Sequence, residues 1–205
     1  MQNDHVGLIT RTTQVLIDHV EELTALDQAI GDGDHGLNMK RGAQAIQAKI
    51  PLLEGKSLND ALKLMGMTCM STIGGSSGPV FGTLLVTLAK ELPEKPSAGD
   101  FANTLDFAIA ALMKLGKVEI GQKTLLDVLA PVQKLIANYP SDADVRDLIV
   151  AVRRCAIDSA NATAQMPAIK GRASFLGDRA LGHIDPGSRS MSLIICAICD
   201  DISNR

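Results

Sequence analysis

Asp27-Gln28-Ala29-Ile30-Gly31-Asp32-Gly33-Asp34-His35-Gly36-Leu37-Asn38 carries three carboxylates and three glycines between two stretches of helical apolar spacing. Its middle, Gly31 to Gly36, matches the dinucleotide fingerprint G-x-G-x-x-G letter for letter. That reading demands a β-strand before it and a parallel sheet around it. The preceding residues deny this, because Leu16, Val20 and Leu23 recur at helical intervals. Two carboxylates in the turn would also repel a phosphate that the backbone amides attract. An EF-hand fails as well: its twelve-residue loop, counted from Asp32, ends on Ala43 where a bidentate glutamate is required. What remains is a helix, an acidic bend and a second helix, and the bend suits one or two Mg²⁺ ions. Magnesium keeps coordination positions open for phosphate oxygens, so metal and polyphosphate would arrive together.

Continuing the Leu16, Val20, Leu23 stripe by four residues lands on Asp27. Its carboxylate then leaves the helix end on the core-facing side, where an unpaired charge is costly. A frayed helix end with a solvated Asp27 is the competing reading, and Asp32 and Asp34 weigh toward a ligand.

Outward from this stretch the spacing predicts helices only. One covers Asp4 to Leu26, and the next runs from Asn38 to Ile50, where Pro51 ends it. A third follows the capping-box-like Ser57…Asp60 and runs to Ile73; a fourth has Pro79 in its first turn and ends near Leu92. Phe101 to Gly116 gives a fifth, Thr124…Asp127 caps a sixth up to Tyr139, and Ser141 to Asp144 starts a seventh that carries Val145 to Ala156. Residues 166–187, with two prolines and four glycines, read as one long loop before a last helix from Ser188 to Asp201. Eight helices with short connections and no alternating strand predict an all-α bundle of antiparallel neighbours, in a single domain over residues 1–205.

Composition narrows the function classes. A net charge of −3 over 205 residues gives no global attraction to nucleic acid or to an anionic membrane, so any basic function is local. No apolar run reaches membrane-spanning length. The start, Met1 to His5, lacks the basic head and apolar body of a signal peptide. Four cysteines without a dense regular spacing fit the cytoplasm. Cys196 and Cys199 form a C-x-x-C, but they share a face of an apolar helix and no second pair completes a zinc site, so core packing is expected over redox or metal chemistry.

Two other loops hold chemistry. Gly74-Gly75-Ser76-Ser77-Gly78 opens a helix, where free amides, the positive dipole end and hydroxyls make an anion site. It lacks the lysine of a P-loop, and an ordinary flexible turn is the alternative. The long loop holds Lys170, Arg172 and Arg179, followed by Arg189, against Asp178 and Asp185. Such arginines close over phosphates, or else simply face solvent. An acidic metal loop, a Gly-Ser helix start and a basic lid together make the parts of a phosphoryl-transfer site.

With these motifs in place, the chain resembles the nucleotide-binding L subunit of bacterial dihydroxyacetone kinases. The resemblance rests on Asp27 with Gly31 to Met39, Gly74 to Gly78, Gly121 to Thr124 with Asp127, Gly171 to Gly177, and Gly182 to Gly187, in that order. It implies a barrel of eight antiparallel helices with nucleotide bound at one end. It further implies that Asp27, Asp32 and Asp34 bind two Mg²⁺ ions, and that His35, Gly36, Leu37, Asn38, Ser76 and Ser77 meet the phosphates of ADP or ATP. Gly116 and Leu125 would lie beside the adenosine, with Arg172 and Asp185, Pro186 and Gly187 in a closing loop and Arg172 in the catalytic role.

In such systems ADP stays bound as a cofactor. A phosphohistidine on an M subunit, charged through the phosphoenolpyruvate phosphotransferase chain, rephosphorylates it, and the L subunit passes the phosphoryl group to dihydroxyacetone held on a K subunit. The resemblance also leaves room for another keto-sugar acceptor, for a non-catalytic nucleotide sensor acting on a transcription regulator, and for a homodimer.

Overall fold

The computed structural model describes residues 4–140 and 143–204. Every regular element among them is helical: α1 (Asp4–Asp18), α2 (Val20–Ile30), α3 (His35–Gln47), α4 (Ile50–Leu53), α5 (Leu58–Thr72), α6 (Ser77–Glu91), α7 (Ala98–Gly116), α8 (Leu126–Ala137), α9 (Val145–Ala162) and α10 (Pro186–Ser203). Two 3₁₀ segments, Thr163–Gln165 and Arg172–Ala180, lie between α9 and α10. With α1 and α2 taken as one pass, the eight expected helices are all present.

The departures from the expected boundaries have local causes. The helix expected over residues 4–26 breaks at His19 (φ −105°, ψ 18°), and α2 then runs on to Ile30, so Asp27 sits in its last turn. Pro51 does not end a helix: it stands in the first turn of α4, where its missing N–H is no loss. α7 starts at Ala98 because Ser97 and Asp100 form a reciprocal capping box. Of the cap expected before α9, Ser141 and Asp142 lie outside the described residues; Asp144 is the N-cap and accepts from the Arg146 amide at 2.8 Å. Pro186 and Gly187, expected in the long loop, instead form the first turn of α10 behind the N-cap Asp185. The long loop is itself partly ordered as 3₁₀ turns, interrupted at Gly177, which takes φ +55°.

The passes close into a ring in which α1 neighbours α3, then α5, α6, α7, α8, α9 and α10, and α10 returns to α1. Neighbours run antiparallel. Asn59 at the start of α5 donates to the carbonyl of Ala89 at the end of α6 (2.9 Å). Ion pairs Arg11–Asp201 and Arg189–Glu22 join opposite ends of α10 to the α1–α2 pass. Aromatics make up only 2% of the chain, so the interior is aliphatic, with Leu23, Met39, Leu53, Leu126 and Val128 fully enclosed. Burying each such side chain contributes about 1.5–3 kcal/mol. Where α5 crosses α6 the approach is so close that a Cβ on Gly66 would lie 2.9 Å from the Gly82 carbonyl.

An up-and-down ring places alternate connections at the same end. The α2–α3, α5–α6, α7–α8 and α9–α10 connections therefore share one end, and α3, α6, α8 and α10 start there. Cys199 is buried and Cys196 partly buried on α10. Burial pushes the Cys199 thiol up to about 11, which keeps it protonated and agrees with the packing reading. Among the described residues, no helix is long and apolar enough to cross a membrane.

Candidate functional site

The end shared by those four connections contains a cavity of about 340 Å³, within the usual range for small-molecule sites. Its wall begins with the acidic bend. One oxygen each of Asp27, Asp32 and Asp34 lies within 4.8 Å of the other two, close enough for one cation to touch all three. Asp27 projects from the last turn of α2, and its second role is structural: Oδ2 accepts from the His35 amide at 3.1 Å, tying the end of α2 to the start of α3. Gly33 makes the bend with φ +76°, a conformation that side chains rarely adopt. All-oxygen donors of this kind fit a hard divalent ion.

His35 stands behind this wall. Its ring is 8% exposed and spans two helices, with Nε2 2.8 Å from the Ser190 hydroxyl on α10 and Nδ1 3.3 Å from the Ser77 hydroxyl on α6. Ser190 donates onward to the Pro186 carbonyl at 3.0 Å. It therefore accepts from Nε2–H, and Nδ1 accepts from Ser77. Desolvation lowers the pKa of the ring, against the opposing pull of Asp27 and Asp34, so the imidazole is neutral. The Ser77 hydroxyl proton is thus directed at His35, and its amide, rather than its hydroxyl, is the donor open to a ligand.

The remaining expected residues divide clearly. Ser76, Ser77, Gly116, Leu125, Arg172, Asp185, Pro186 and Gly187 line the cavity along with the three aspartates and His35. Gly36, Leu37 and Asn38 do not. Gly36 is pressed so tightly on α2 that a Cβ would meet the backbone of Val20 and Thr24. Leu37 turns outward at 55% exposure, and Asn38 is buried, its side-chain oxygen accepting from Arg41 at 3.3 Å. Only backbone amides of this first turn remain to serve a ligand.

The loop after α9 covers one side of the cavity. Arg172 pairs with Asp32. Beneath it, Ala168, Ala180, Ala173 and Leu176 pack on Ile30 of α2 as a small apolar foot. The loop's neck is tied by the Gly182 amide to the Ala164 carbonyl (2.8 Å) and the Asp185 amide to Thr163 Oγ1 (3.0 Å). Asp185 also caps α10, accepting from the Ser188 amide at 2.7 Å and hydroxyl at 2.9 Å. Burial nevertheless pushes its carboxyl up to about 6.

Two residues that the sequence reading named only in a motif and a cap, without a role at the site, stand beside the cavity. Lys123 is 3% exposed although it sits in a polar turn, and Asp127 is equally enclosed. Asp127 shapes that turn by accepting from the amides of Gly121 and Thr124, the latter at 2.7 Å. The signal available in the sequence was a turn with Gly121, Lys123 and an acid four residues on, which does not separate a buried lysine from a solvated one.

A family model described as the DAK2 domain matches residues 29–200. The ADP-binding subunit DhaL of the PEP-dependent dihydroxyacetone kinase of Escherichia coli (strain K12) is 36% identical over 193 residues, covering 93% of this chain and 92% of that protein. The corresponding subunit DhaL of dihydroxyacetone kinase 1 of Listeria innocua is 37% identical over 177 residues, 86% of this chain and 84% of that one. Among solved structures, the dihydroxyacetone kinase of C. freundii, crystallised with AMP-PNP and Mg²⁺, superposes with a TM-score of 0.75 at 23% identity. It matches 95% of this chain and a third (33%) of its own length, a likeness of fold. The chain belongs to the DAK2 domain family, together with the DhaL subunits of bacterial dihydroxyacetone kinases.

Proposed function

We propose that the chain is the ADP-binding phosphoryl-transfer subunit of a phosphoenolpyruvate-dependent dihydroxyacetone kinase. The observation that carries this reading is the convergence at one mouth of the Asp27, Asp32 and Asp34 carboxylates with the starts of α3 and α6. Neither N-cap residue, Asp34 or Ser76, takes a first-turn amide, and of the α3 amides only that of His35 is bound by a side chain, Asp27. Cation and anion chemistry are thus offered side by side, as a metal–polyphosphate demands. The identity to the DhaL subunits, across nearly the whole chain, supports the same assignment.

Asp27, Asp32 and Asp34 would hold two Mg²⁺ ions. First-turn amides of α3 and α6, at Gly36 and Leu37 and at Ser77, would orient the phosphates. Gly116, Leu125, Pro186 and Gly187 form the less polar wall that would receive the adenosine. Held by these residues, ADP–Mg²⁺ would supply the acceptor for a phosphoryl group from a phosphohistidine donor and the donor for a hydroxyl of dihydroxyacetone. The chain's own contributions are to bind, to neutralise and to cover. Arg172, now paired with Asp32, would turn its guanidinium to the transferring group once a cation takes that carboxylate.

The cavity offers no separate sugar chamber in this reading, so the acceptor would come on a sugar-binding partner subunit. On the lid, Phe175 is 87% exposed and Ile169, next to the cavity-lining Lys170, is also exposed. An apolar rim at a reactive opening is what such a partner would cover.

The test is incubation of the purified protein with ADP, Mg²⁺, a phosphohistidine donor charged from labelled phosphoenolpyruvate, and the sugar-binding subunit with dihydroxyacetone or other keto-sugars. Label reaching bound nucleotide and then dihydroxyacetone is the expected result. Nucleotide binding without turnover to any sugar would replace the kinase reading with a sensor, and no nucleotide binding at all would remove both.

A further inference from the structure

The ammonium of Lys123 is held by backbone carbonyls alone. Nζ donates to Thr163 (2.8 Å), Ala180 (3.0 Å) and His183 (2.6 Å), with a longer approach to Met166 (3.4 Å). Thr163 and Met166 belong to the chain leaving α9, whereas Ala180 and His183 belong to the chain returning toward α10. One cation therefore bridges both limbs of the neck from which the Arg172 loop springs. Its three N–H groups are matched by the three short bonds.

The placement is costly in two ways, and both point to a purpose. Lys123 has φ +61°, one of two left-handed non-glycine residues among those described. An ammonium enclosed to 3% exposure has also surrendered its hydration. In return, it meets Thr163 and Met166 where α9 and its 3₁₀ extension end, and Ala180 at the end of the second 3₁₀ segment; the Thr163 carbonyl also accepts from the Met166 amide (3.1 Å). The turn that aims it is braced from below by Asp127, and Asp185 lies close enough to stabilise its charge.

We propose that Lys123 is the positioning residue of the lid: by clamping both limbs of its neck it fixes the arch that presents Arg172 over the acidic bend. The proposal deepens the phosphoryl-transfer reading and rests on it for its effect on nucleotide, but the clamp itself is a property of the protein without ligand. Lys123 touches no reacting atom. It acts through the neck, which seats the apolar foot on Ile30 and so sets where Arg172 stands.

The experiment is amide hydrogen exchange on the full-length protein, wild type against Lys123→Met, with and without ADP and Mg²⁺, alongside the dissociation rate of a fluorescent ADP analogue. The clamp predicts that Lys123→Met speeds exchange in residues 171–183 by about tenfold or more while α5 and α6 stay within about twofold. It also predicts ADP dissociation faster by about tenfold, with Lys123→Arg closer to wild type than Lys123→Met. Should Lys123→Met fail to fold, Lys123→Gln, which keeps two donors, gives the same comparison. Unchanged exchange in 171–183, or acceleration spread equally over α5 and α6, overturns the proposal, the latter result marking a merely structural lysine. If wild-type protein binds no ADP the phosphoryl-transfer reading falls, yet the exchange comparison still decides the clamp.

Discussion

The two ends of the barrel treat their helix starts differently. Away from the cavity, α5, α7 and α9 each tie off their first turn with a side chain of their own: Ser57 accepts from the Asp60 amide (3.1 Å), Ser97 from Asp100 (3.1 Å) and Asp144 from Arg146 (2.8 Å). At the cavity, Asp34 and Ser76 occupy the equivalent positions before α3 and α6 and accept no such bond. Both are residue types that cap well. Asp34 lends its carboxylate to the acidic cluster instead. The contrast teaches that the N-cap residues of α3 and α6 leave first-turn amides for a ligand, whereas α8 and α10, which start at the same end, have first-turn amides taken by Thr124 and Asp185.

The largest expected effect is at the cavity end. A double variant Asp32→Ala/Asp34→Ala should abolish the stabilisation that ADP–Mg²⁺ confers, about 2.7 kcal/mol at a hundredfold excess over Kd, read as the ligand-dependent change in melting temperature. An undiminished shift would separate the acidic cluster from ligand binding and break the contrast. Arg172→Ala comes next: its side chain is 64% exposed, so unliganded stability should stay within about 0.5 kcal/mol. Phosphoryl transfer to the sugar, followed with labelled donor, should nonetheless slow by about a hundredfold.

Asp185 caps a helix at the cavity end, and burial works against its charge there. Its carboxyl is raised from an ordinary 3.8 to about 6 in the folded state, so its contribution to stability is fully present below about pH 4 and is lost as pH rises through about 6. Asp185→Asn, which can still cap, should flatten that part of the unfolding-versus-pH curve, and an unchanged curve would show that Asp185 is not the group responsible.

The smallest effects sharpen the comparison most directly. Ser97→Ala should lower unfolding free energy by about 1 kcal/mol without touching ADP affinity. Ser76→Ala should leave it within about 0.5 kcal/mol, because no cap is lost. Chemical denaturation of the two variants side by side measures this, and equal losses would erase the distinction.

Much of this was legible in residue order. Apolar spacing announced all eight passes, and an even alternation of antiparallel helices brings Asp27 to Asn38, Gly74 to Gly78 and the loop after α9 to one end. Element boundaries were less legible wherever a turn residue had two uses. Pro51 and Pro186 read as interruptions, yet each stands in a first helical turn where proline is tolerated. His19 gave no warning of its break. Lys123 was invisible for a different reason: its partners are four carbonyls, and carbonyls have no letter in a sequence. His35 is intermediate, since the motif marked it but could not say that its ring would bridge Ser77 and Ser190 from behind the wall.

The Arg11–Asp201 pair has a consequence for how the barrel joins other proteins. It sets the middle of α1 beside the last turn of α10, in the half of the barrel remote from the mouth. A polypeptide extended from the start of α1 or the end of α10 would leave the opening and its lid unobstructed. The fold is therefore a module that gene fusion can attach by its base, which is compatible with the C. freundii kinase chain, where a barrel of this shape accounts for a third of a longer polypeptide.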